Sequence, residues 1–327
     1  NNNHLSNYIF SIMVINPSHS DESKALLVDI GGTNVRTCKA YLNEKKLLEP
    51  AKKGISCLKN FDELIQGFLD NDPEISHLVI SVAGPKLNNS ISMTNRNFFI
   101  DEKDLSKKYN LDSAFILNDW ESIGYSLHIF SQDEISFINQ GNAFNDTALM
   151  VGPGTGLGAA LVVDESIVLP TEVGNTSSFL HNILKELDIN SFDEFNVIED
   201  LISGGGIEKL HNYLTSKTLT SEEIINLCKD SSSDARRTID TFLNAIAIVL
   251  SEFALTYMPG NGIYLAGGLM RSLNEFIDIN SFMQAFIASR KPMHAEVLKE
   301  IPLGVINAEM TCLHGNLAYL KQRLEGQ

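Results

Sequence analysis

The apolar residues of this chain form short runs in its first half and helical periods in its second half. The runs 26–29 and 147–151 predict buried strands, and each is followed by a glycine-rich turn and a second apolar run, at 35–41 and 159–163. Each unit is therefore predicted to be a β-hairpin. Its occurrence near residue 30 and again near residue 155 indicates two related α/β lobes.

The remaining elements follow from the same periodicities. Helices are predicted where apolar residues recur at three- and four-residue spacing, mainly after residue 178. The longest apolar stretch, about 245–258, is interrupted by Glu252 and is too short for a membrane span, so it is predicted to be a buried helix. The predicted helices are 61–70, 222–228, 235–258, 281–288 and 313–324, and the further predicted strands are 77–82, 91–94, 114–117, 262–266 and 302–306.

The composition of the chain mainly excludes certain classes of partner. The chain has 327 residues, 43% of them hydrophobic and 20% charged, which is ordinary for a globular protein of about two domains. Its formal net charge of −16 argues against binding to nucleic acid or to anionic lipid, both of which favour a basic surface. Neither a nucleic acid nor a membrane is expected as a partner.

Cysteine usage and the N-terminal segment both bear on the compartment. The four cysteines are scattered and form no C-x-x-C pair, which argues against a zinc cluster or a disulfide framework and favours a reducing cytosol. The apolar patch within residues 1–24 has no preceding Lys or Arg and no small-residue cleavage site after it, so a signal peptide is not expected. Residues 1–22 are interpreted as an accessory N-terminal extension of a cytoplasmic protein.

The two glycine-rich turns are the candidate phosphate-binding elements. The first reads Asp29-Ile30-Gly31-Gly32-Thr33-Asn34, and the second reads Gly152-Pro153-Gly154-Thr155-Gly156-Leu157-Gly158. Glycine tolerates φ > 0 and has no side chain, so successive backbone N–H groups can converge on an anion, and the two threonines add hydroxyl donors. Neither turn matches the P-loop or the dinucleotide-binding fingerprint. A tight hairpin without a ligand is the alternative for either turn taken alone.

Two acidic residues at predicted strand ends are candidates for the chemistry. Asp29 is placed to hold Mg²⁺ through water, and its alternative role is to cap the turn. Asp119 is the candidate catalytic base, because a sugar hydroxyl that attacks a γ-phosphorus must lose its proton. Asn118 beside it can donate to and accept from sugar hydroxyls. On spacing alone, catalysis is not favoured for Asn118 and Asp119 over an ordinary loop start after a strand.

The order and spacing of these motifs resemble those of the bacterial-type glucokinases of the hexokinase–actin–Hsp70 superfamily, from about Ala25 to the C-terminus. The first turn is similar to the family's phosphate-binding Asp-x-Gly-Gly-Thr-Asn-x-Arg, and the second turn to its second phosphate element. Leu117-Asn118-Asp119 resembles the family's catalytic strand end. Segments that resemble a stretch before the catalytic strand, the sugar loop, a second sugar-binding glutamate and the adenosine segment are, in that order, 92–95, 169–174, 198–204 and 262–268.

The resemblance implies a two-lobed α/β fold of the actin-like (ribonuclease H-like) ATPase type with a central cleft. The small domain is expected to contain 23–118 plus 312–327, and the large domain 119–311. The implied activity is the ATP-dependent phosphorylation of glucose to glucose 6-phosphate with Mg²⁺, and a homodimer is compatible with families of this kind. The implied base is Asp119, the implied sugar-binding residues are Asn118, Glu172, Asn175 and Glu199, and the implied nucleotide-binding residues are Asp29, Gly31, Gly32, Thr33, Asn34, Gly152, Gly154, Thr155, Gly156, Gly267 and Gly268.

The sugar loop departs from the resemblance at two positions. The family usually has Glu-Gly-Gly-His there, whereas this chain has Glu172-Val173-Gly174-Asn175, and Trp120 is a bulkier aromatic than usual after the catalytic Asp. A site built on specific hydroxyl contacts discriminates strongly against mismatched ligands. Two alternatives therefore remain open: a kinase for another hexose such as mannose or an N-acetylhexosamine, and a sugar sensor with weak catalysis.

Overall fold

The computed structural model describes residues 23–92, 98–190 and 193–326. The predicted N-terminal extension 1–22 lies outside the described residues, as do most of the segment 92–95 and the end of the predicted strand 91–94. In chain order the described strands are β1 (Lys24–Ile30), β2 (Asn34–Tyr41), β3 (Leu48–Gly54), β4 (Ile75–Val82), β5 (Lys86–Leu87), β6 (Ser90–Ser92), β7 (Phe99–Asp101), β8 (Ser113–Asn118), β9 (Ile135–Asn139), β10 (Thr147–Pro153), β11 (Leu157–Val163), β12 (Ile167–Thr171), β13 (Gly262–Leu265) and β14 (Leu303–Ile306).

The helices are concentrated in the second half of the chain, as its apolar spacing predicts. They are α1 (Phe61–Asn71), α2 (Leu105–Tyr109), α3 (Asp119–Tyr125), α4 (Leu180–Glu186), α5 (Ile198–Leu201), α6 (Gly204–Thr215), α7 (Ser221–Lys229), α8 (Ser233–Tyr257), α9 (Gly268–Leu273), α10 (Ile279–Ile287), α11 (Pro292–Glu300) and α12 (Thr311–Glu325). The predicted helices at 61–70, 222–228, 235–258, 281–288 and 313–324 are confirmed within one or two residues at most ends.

Two mixed sheets with the same topology form the two lobes. The first has the order β3-β2-β1-β4-β8, and the second has the order β12-β11-β10-β13-β14-β9. In each sheet three antiparallel strands in sequence are followed by two parallel ones, and β9 adds an antiparallel edge to the second sheet. The internal duplication indicated by the sequence is therefore confirmed at the level of strand order. A small third sheet contains β5, β6 and β7.

The core is layered around these sheets. Alternate residues of β1 face opposite ways: Leu26 and Val28 pack with α1 and α2, whereas Leu27 packs with α3, α12 and the second sheet. The far face of the second sheet is covered by the helices of the second half of the chain, with Phe242 and Phe253 fully buried. Strands that are buried on both faces have continuous apolar runs, which explains why the sequence predicts them well.

The apolar helix α8 is a core helix. Its 25 residues pass a length and composition test for a membrane span, with a mean hydropathy of 1.5 over 18 residues, but 67% of that window is buried inside the protein. It packs against α6, α7, α10 and α11. The prediction that residues 245–258 form a buried helix is thus confirmed.

Candidate active site

A cleft of about 670 Å³ brings together most of the residues that the sequence singled out. The loops that follow strands of both sheets line it, as expected where the carboxyl ends of parallel strands meet. Three predicted residues do not line it: Asp29 is buried behind its wall, and the side chains of Thr33 and Asn34 bond to each other at 2.8 Å. The predicted residues that line the cleft are Gly31, Gly32, Asn118, Asp119, Gly152, Gly154, Thr155, Gly156, Glu172, Asn175, Glu199, Gly267 and Gly268.

The first glycine turn joins β1 and β2 and leaves its backbone open to the cleft. The Gly31 N–H donates to the Asn34 carbonyl at 2.9 Å, which closes the turn. A Cβ on Gly32 would meet nothing within 4 Å. Both glycines therefore leave room for an anion to approach the main chain, which is the condition for a backbone phosphate cradle.

A charged pair stabilises the base of this first hairpin. Asp29 and Arg36 are opposite each other in the β1–β2 register, and the Arg36 Nη1 donates to Asp29 Oδ2 at 2.9 Å. The Ser81 hydroxyl lies 3.3 Å from the other oxygen of Asp29. Arg36 lines the cleft and is a candidate anion-binding residue that sequence reasoning missed. The signal was available, because a hairpin of this length pairs the residues that flank the turn.

The second glycine turn joins β10 and β11 and is packed more tightly. Gly152 and Gly158 are cross-strand partners, and the indole of Trp120 covers both, so that a Cβ on either would overlap the ring. A Cβ on Gly156 would lie 2.6 Å from Glu199 Oε2, whereas Gly154 has nothing within 4 Å. Of these four glycines, only Gly154 leaves its surroundings open.

Contacts from the helical half of the chain fix the tip of this second turn. The Leu157 N–H donates to Glu199 Oε2 at 3.2 Å, and the Gly204 N–H donates to the Gly154 carbonyl at 2.8 Å. Glu199 was predicted from the resemblance to bind sugar. In the structure it lines the cleft and also anchors the turn, and its sugar-binding role stays a prediction.

Asp119 lies on the cleft wall as the first residue of α3. Its Oδ1 accepts from the Trp120 N–H at 3.0 Å. Burial raises the pKa of Asp119 to about 7, helped by the negative charges of Asp29 and Glu172 and opposed by the backbone donors at the helix start. A carboxyl group that titrates near neutrality has the basicity that a general base requires.

Asn118 is the N-cap of α3, so the strand β8 leads directly into a helix rather than into a loop. Its Oδ1 accepts from the N–H groups of Trp120 and Glu121 at 2.9 and 3.1 Å, and its Nδ2 donates to the Gly84 carbonyl at 2.8 Å. The loop start that spacing alone left open is thus excluded. The cap fixes the orientation of Asp119, and within the part of the chain that the structure describes the Asn118 amide donates only to Gly84.

The predicted sugar loop follows β12 and forms a short 3₁₀ turn over Val173–Asn175. Glu172 and Asn175 line the cleft beside Asp119, and the Asn175 Nδ2 lies 3.5 Å from Glu172 Oε2. Gly267 has a φ of 105°, which favours glycine, and Gly268 begins α9. This glycine pair and the predicted sugar loop line the same cleft as Asp119.

The acidic residues that the structure describes do not form a complete site for a divalent cation. Among residues 23–92, 98–190 and 193–326, no group of three or more His, Cys, Asp or Glu side chains is arranged to hold a metal ion by itself. Asp29 is 4% exposed and already paired with Arg36, which fits contact through water better than direct ligation. This donor set suits a Mg²⁺ that arrives with phosphate oxygens as its main ligands.

The chain is similar to known sugar kinases along most of its length. A family model described as glucokinase matches residues 26–323. The chain is 27% identical to a glucokinase from Colwellia psychrerythraea, with 91% of this chain and 96% of that protein covered. Among solved structures, it is similar to a glucokinase from an Antarctic psychrotroph (TM-score 0.76, 22% identity, 90% and 98% covered) and to a Balamuthia mandrillaris glucokinase in complex with glucose (TM-score 0.73, 18% identity, 92% and 94% covered).

Proposed function

Since the chain belongs to the glucokinase family, and its reaction is the phosphorylation of glucose, we propose that Asp119 is the base and that ATP with Mg²⁺ is the phosphoryl donor. The observation that carries this proposal is the position of Asp119 in one cleft with both glycine turns. The carboxylate takes the proton from the 6-hydroxyl as that oxygen attacks the γ-phosphorus, and the product is glucose 6-phosphate.

The donor lies along the two glycine turns. Gly31, Gly32 and Gly154 leave their main chain accessible, so the phosphates bind there, with Thr155 as a hydroxyl donor. Arg36 adds a cation on the cleft wall. The pair Gly267–Gly268 lies on the adenosine side. Mg²⁺, when bound with the nucleotide, neutralises phosphate charge and is held by Asp29 through water.

The sugar binds between the strand end and the acidic loop. Glu172 and Glu199 accept hydrogen bonds from sugar hydroxyls, Asn118 donates one, and Asn175 supplies both a donor and an acceptor. The Asn175–Glu172 contact of 3.5 Å is long for a hydrogen bond. It leaves the Asn175 amide available to a hydroxyl.

The chain is proposed to work as two moving parts in the cytosol. The small part contains 23–118 plus 312–327, and the large part contains 119–311. Closure of the cleft excludes water, which would otherwise compete with the sugar as acceptor. All four cysteines are free thiols, which fits a reducing compartment. A homodimer is a further proposal, for which sedimentation velocity is the direct test.

The replacement Asp119→Asn tests the base. We expect turnover of glucose to fall by about 10²–10⁴-fold, because the amide cannot accept the proton. The raised pKa means that the folded protein holds this proton more tightly than the unfolded chain, so Asp119 contributes stability below about pH 4 that is lost as pH rises through about 7. At pH 8 the variant should therefore melt at a higher temperature than the wild type. Near-normal activity in this variant would rule out the base.

A coupled assay over a panel of hexoses tests the acceptor. Turnover of glucose at a higher kcat/KM than mannose or an N-acetylhexosamine supports the proposal. A higher kcat/KM for another sugar than for glucose would indicate that the loop containing Asn175 is specific for that sugar. Sugar binding by calorimetry without turnover would instead indicate a sensor.

A further inference from the structure

The two helices between the sheets cross at an unusually close point. A Cβ on Gly315 of α12 would overlap the backbone of Ser122 in α3. Because glycine has no side chain, the two helix backbones can approach each other directly there. The helix that begins with Asp119 therefore rests on α12 only three residues after the proposed base.

A buried hydrogen-bond network is centred on the residue next to this glycine. Asn316 is fully buried, and its Oδ1 lies 2.8 Å from the Ser122 hydroxyl, whose single hydrogen is shared with the Cys312 carbonyl. Its Nδ2 donates to the Val28 carbonyl at 3.0 Å and approaches the Ser81 hydroxyl at 3.3 Å. One carboxamide thus binds α3, β1 and β4 at the same time.

This network ends at Asp29, which is buried behind the cleft wall. Val28 directly precedes Asp29, and the Ser81 hydroxyl lies 3.3 Å from Asp29 Oδ1. On the α3 side, the Ser122 hydroxyl also lies 2.6 Å from the Cys312 carbonyl. The path from the first glycine turn to the helix of Asp119 is therefore made of polar groups that are all buried.

We propose that Asn316 is a positioning residue for phosphoryl transfer, because its carboxamide holds the helix that carries Asp119 at a fixed place relative to the strand that carries Asp29 and the first glycine turn. The inference rests on the proposed role of Asp119. Asn316 touches neither substrate, since it lies behind the cleft wall. Its effect is on the transfer step, which is sensitive to displacements of about 1 Å.

The variants Asn316→Ala and Ser122→Ala test the network from its two sides. Each should lower kcat for glucose phosphorylation by about tenfold or more, while KM for glucose and for ATP stays within about twofold. The side chains of Asn118 and Glu199, which are proposed to bind the sugar, make none of the contacts that either change removes. The double variant should lose no more than about the larger single loss, because both changes remove the same contact.

Ser126→Ala is the matched control. Ser126 follows the last residue of α3 and is equally buried, and among the described residues its hydroxyl bonds only to the Ile123 carbonyl within its own turn, at 2.6 Å. This variant should melt at a lower temperature but keep its kcat within about twofold. If Asn316→Ala does not fold, Ser122→Ala decides the matter.

Unchanged kcat in folded Asn316→Ala or Ser122→Ala would overturn the inference, as would an equal loss in the control. Asp119→Asn is measured in parallel. An inactive Asp119→Asn with a fully active Ser122→Ala would reject the positioning role alone, whereas an active Asp119→Asn would reject the base itself.

Discussion

The two glycine-rich hairpins share a topology but use their glycines for different reasons. In the first hairpin Gly32 has open space around it, and a charged pair of Asp29 and Arg36 stabilises the strands below the turn. In the second, Gly152 and Gly158 lie under the indole of Trp120. The glycines of the first turn leave the main chain accessible, whereas the paired glycines of the second are required by the packing of Trp120.

This difference shows that a glycine-rich turn can lack side chains for either of two reasons: to leave space for a ligand, or to avoid a clash within the protein. In the second turn a side chain at Gly152, Gly156 or Gly158 would clash with another residue of the protein, and only Gly154 has open space around it. The same substitution should therefore act on stability in one hairpin and on nucleotide binding in the other. The following experiments test this division.

The largest effect is expected from Gly158→Ala. Its Cβ would coincide with the indole nitrogen side of Trp120, so the ring must move, and the free energy of unfolding should fall by about 3 kcal/mol. Urea denaturation gives the value. Combining it with Trp120→Leu should give a loss smaller than the sum of the two single losses by at least about 1 kcal/mol. Strict additivity would mean that the ring and the glycine do not depend on each other.

The next effect concerns charge. In the wild type, kcat/KM should decrease as pH drops through about 7, the pKa of Asp119, because the base works only when it is deprotonated. This decrease is the acid limb of the pH profile. Asp29→Asn removes the negative charge that raises this pKa most among its neighbours, so the limb should move to lower pH.

Glu199→Gln is the comparison for that shift, because it removes a carboxylate from the second hairpin instead. Asp29 and Glu172 are the carboxylates that raise the pKa of Asp119 most. In Glu199→Gln the acid limb of kcat/KM should therefore stay at the wild-type pH, while KM for glucose rises. If the acid limb moved further in Glu199→Gln than in Asp29→Asn, the pKa of Asp119 would be controlled from the second hairpin rather than from the first, and the expectation would be wrong.

Gly156→Ala should lower the free energy of unfolding by an amount between those of Gly158→Ala and Gly32→Ala. The new methyl group would lie 2.6 Å from Glu199 Oε2, and that side chain can swing away only by giving up its bond to the Leu157 N–H. We expect the free energy of unfolding to fall by about 1 kcal/mol and KM for glucose to rise. Measuring both in one preparation shows whether the anchor and the sugar contact depend on the same carboxylate.

The smallest effect on stability is expected from Gly32→Ala. Nothing lies within 4 Å of the new methyl group, so the free energy of unfolding should change by less than about 1 kcal/mol, in either direction. KM for ATP should rise, because the methyl group occupies the approach to the main chain. A large loss of stability with normal ATP binding would make the two hairpins alike and remove the distinction.

The sequence predicted the parts of the fold that are buried on both faces. Strands β1, β8 and β10 were predicted from continuous apolar runs, and the duplicated hairpin from its glycines. Strand β3 was missed because it is an edge strand whose residues are mostly exposed, and so it has no apolar alternation. Helix α3 was missed because seven residues are too few to show a helical period.

At the candidate site, the sequence could predict which residues lie near the cleft but not how they contact each other. The indole of Trp120 packs on Gly152 and Gly158, which are more than thirty positions away in sequence, so no local pattern predicts this contact. The network of Asn316 is likewise tertiary. The one trace in the sequence is an amide side chain within the apolar face of the terminal helix. The roles of the site residues remain predictions until the substitutions are measured.

The contact between Trp120 and the second hairpin also gives the protein a built-in optical probe. Trp120 is the chain's single tryptophan, so all of its intrinsic indole emission originates beside the proposed base. Ligands that shift the hairpin or exclude water from the cleft should change the wavelength or quantum yield of that emission. Binding of sugar and nucleotide can thus be followed by stopped flow in the unlabelled protein, and the rate of closure can be separated from the rate of transfer.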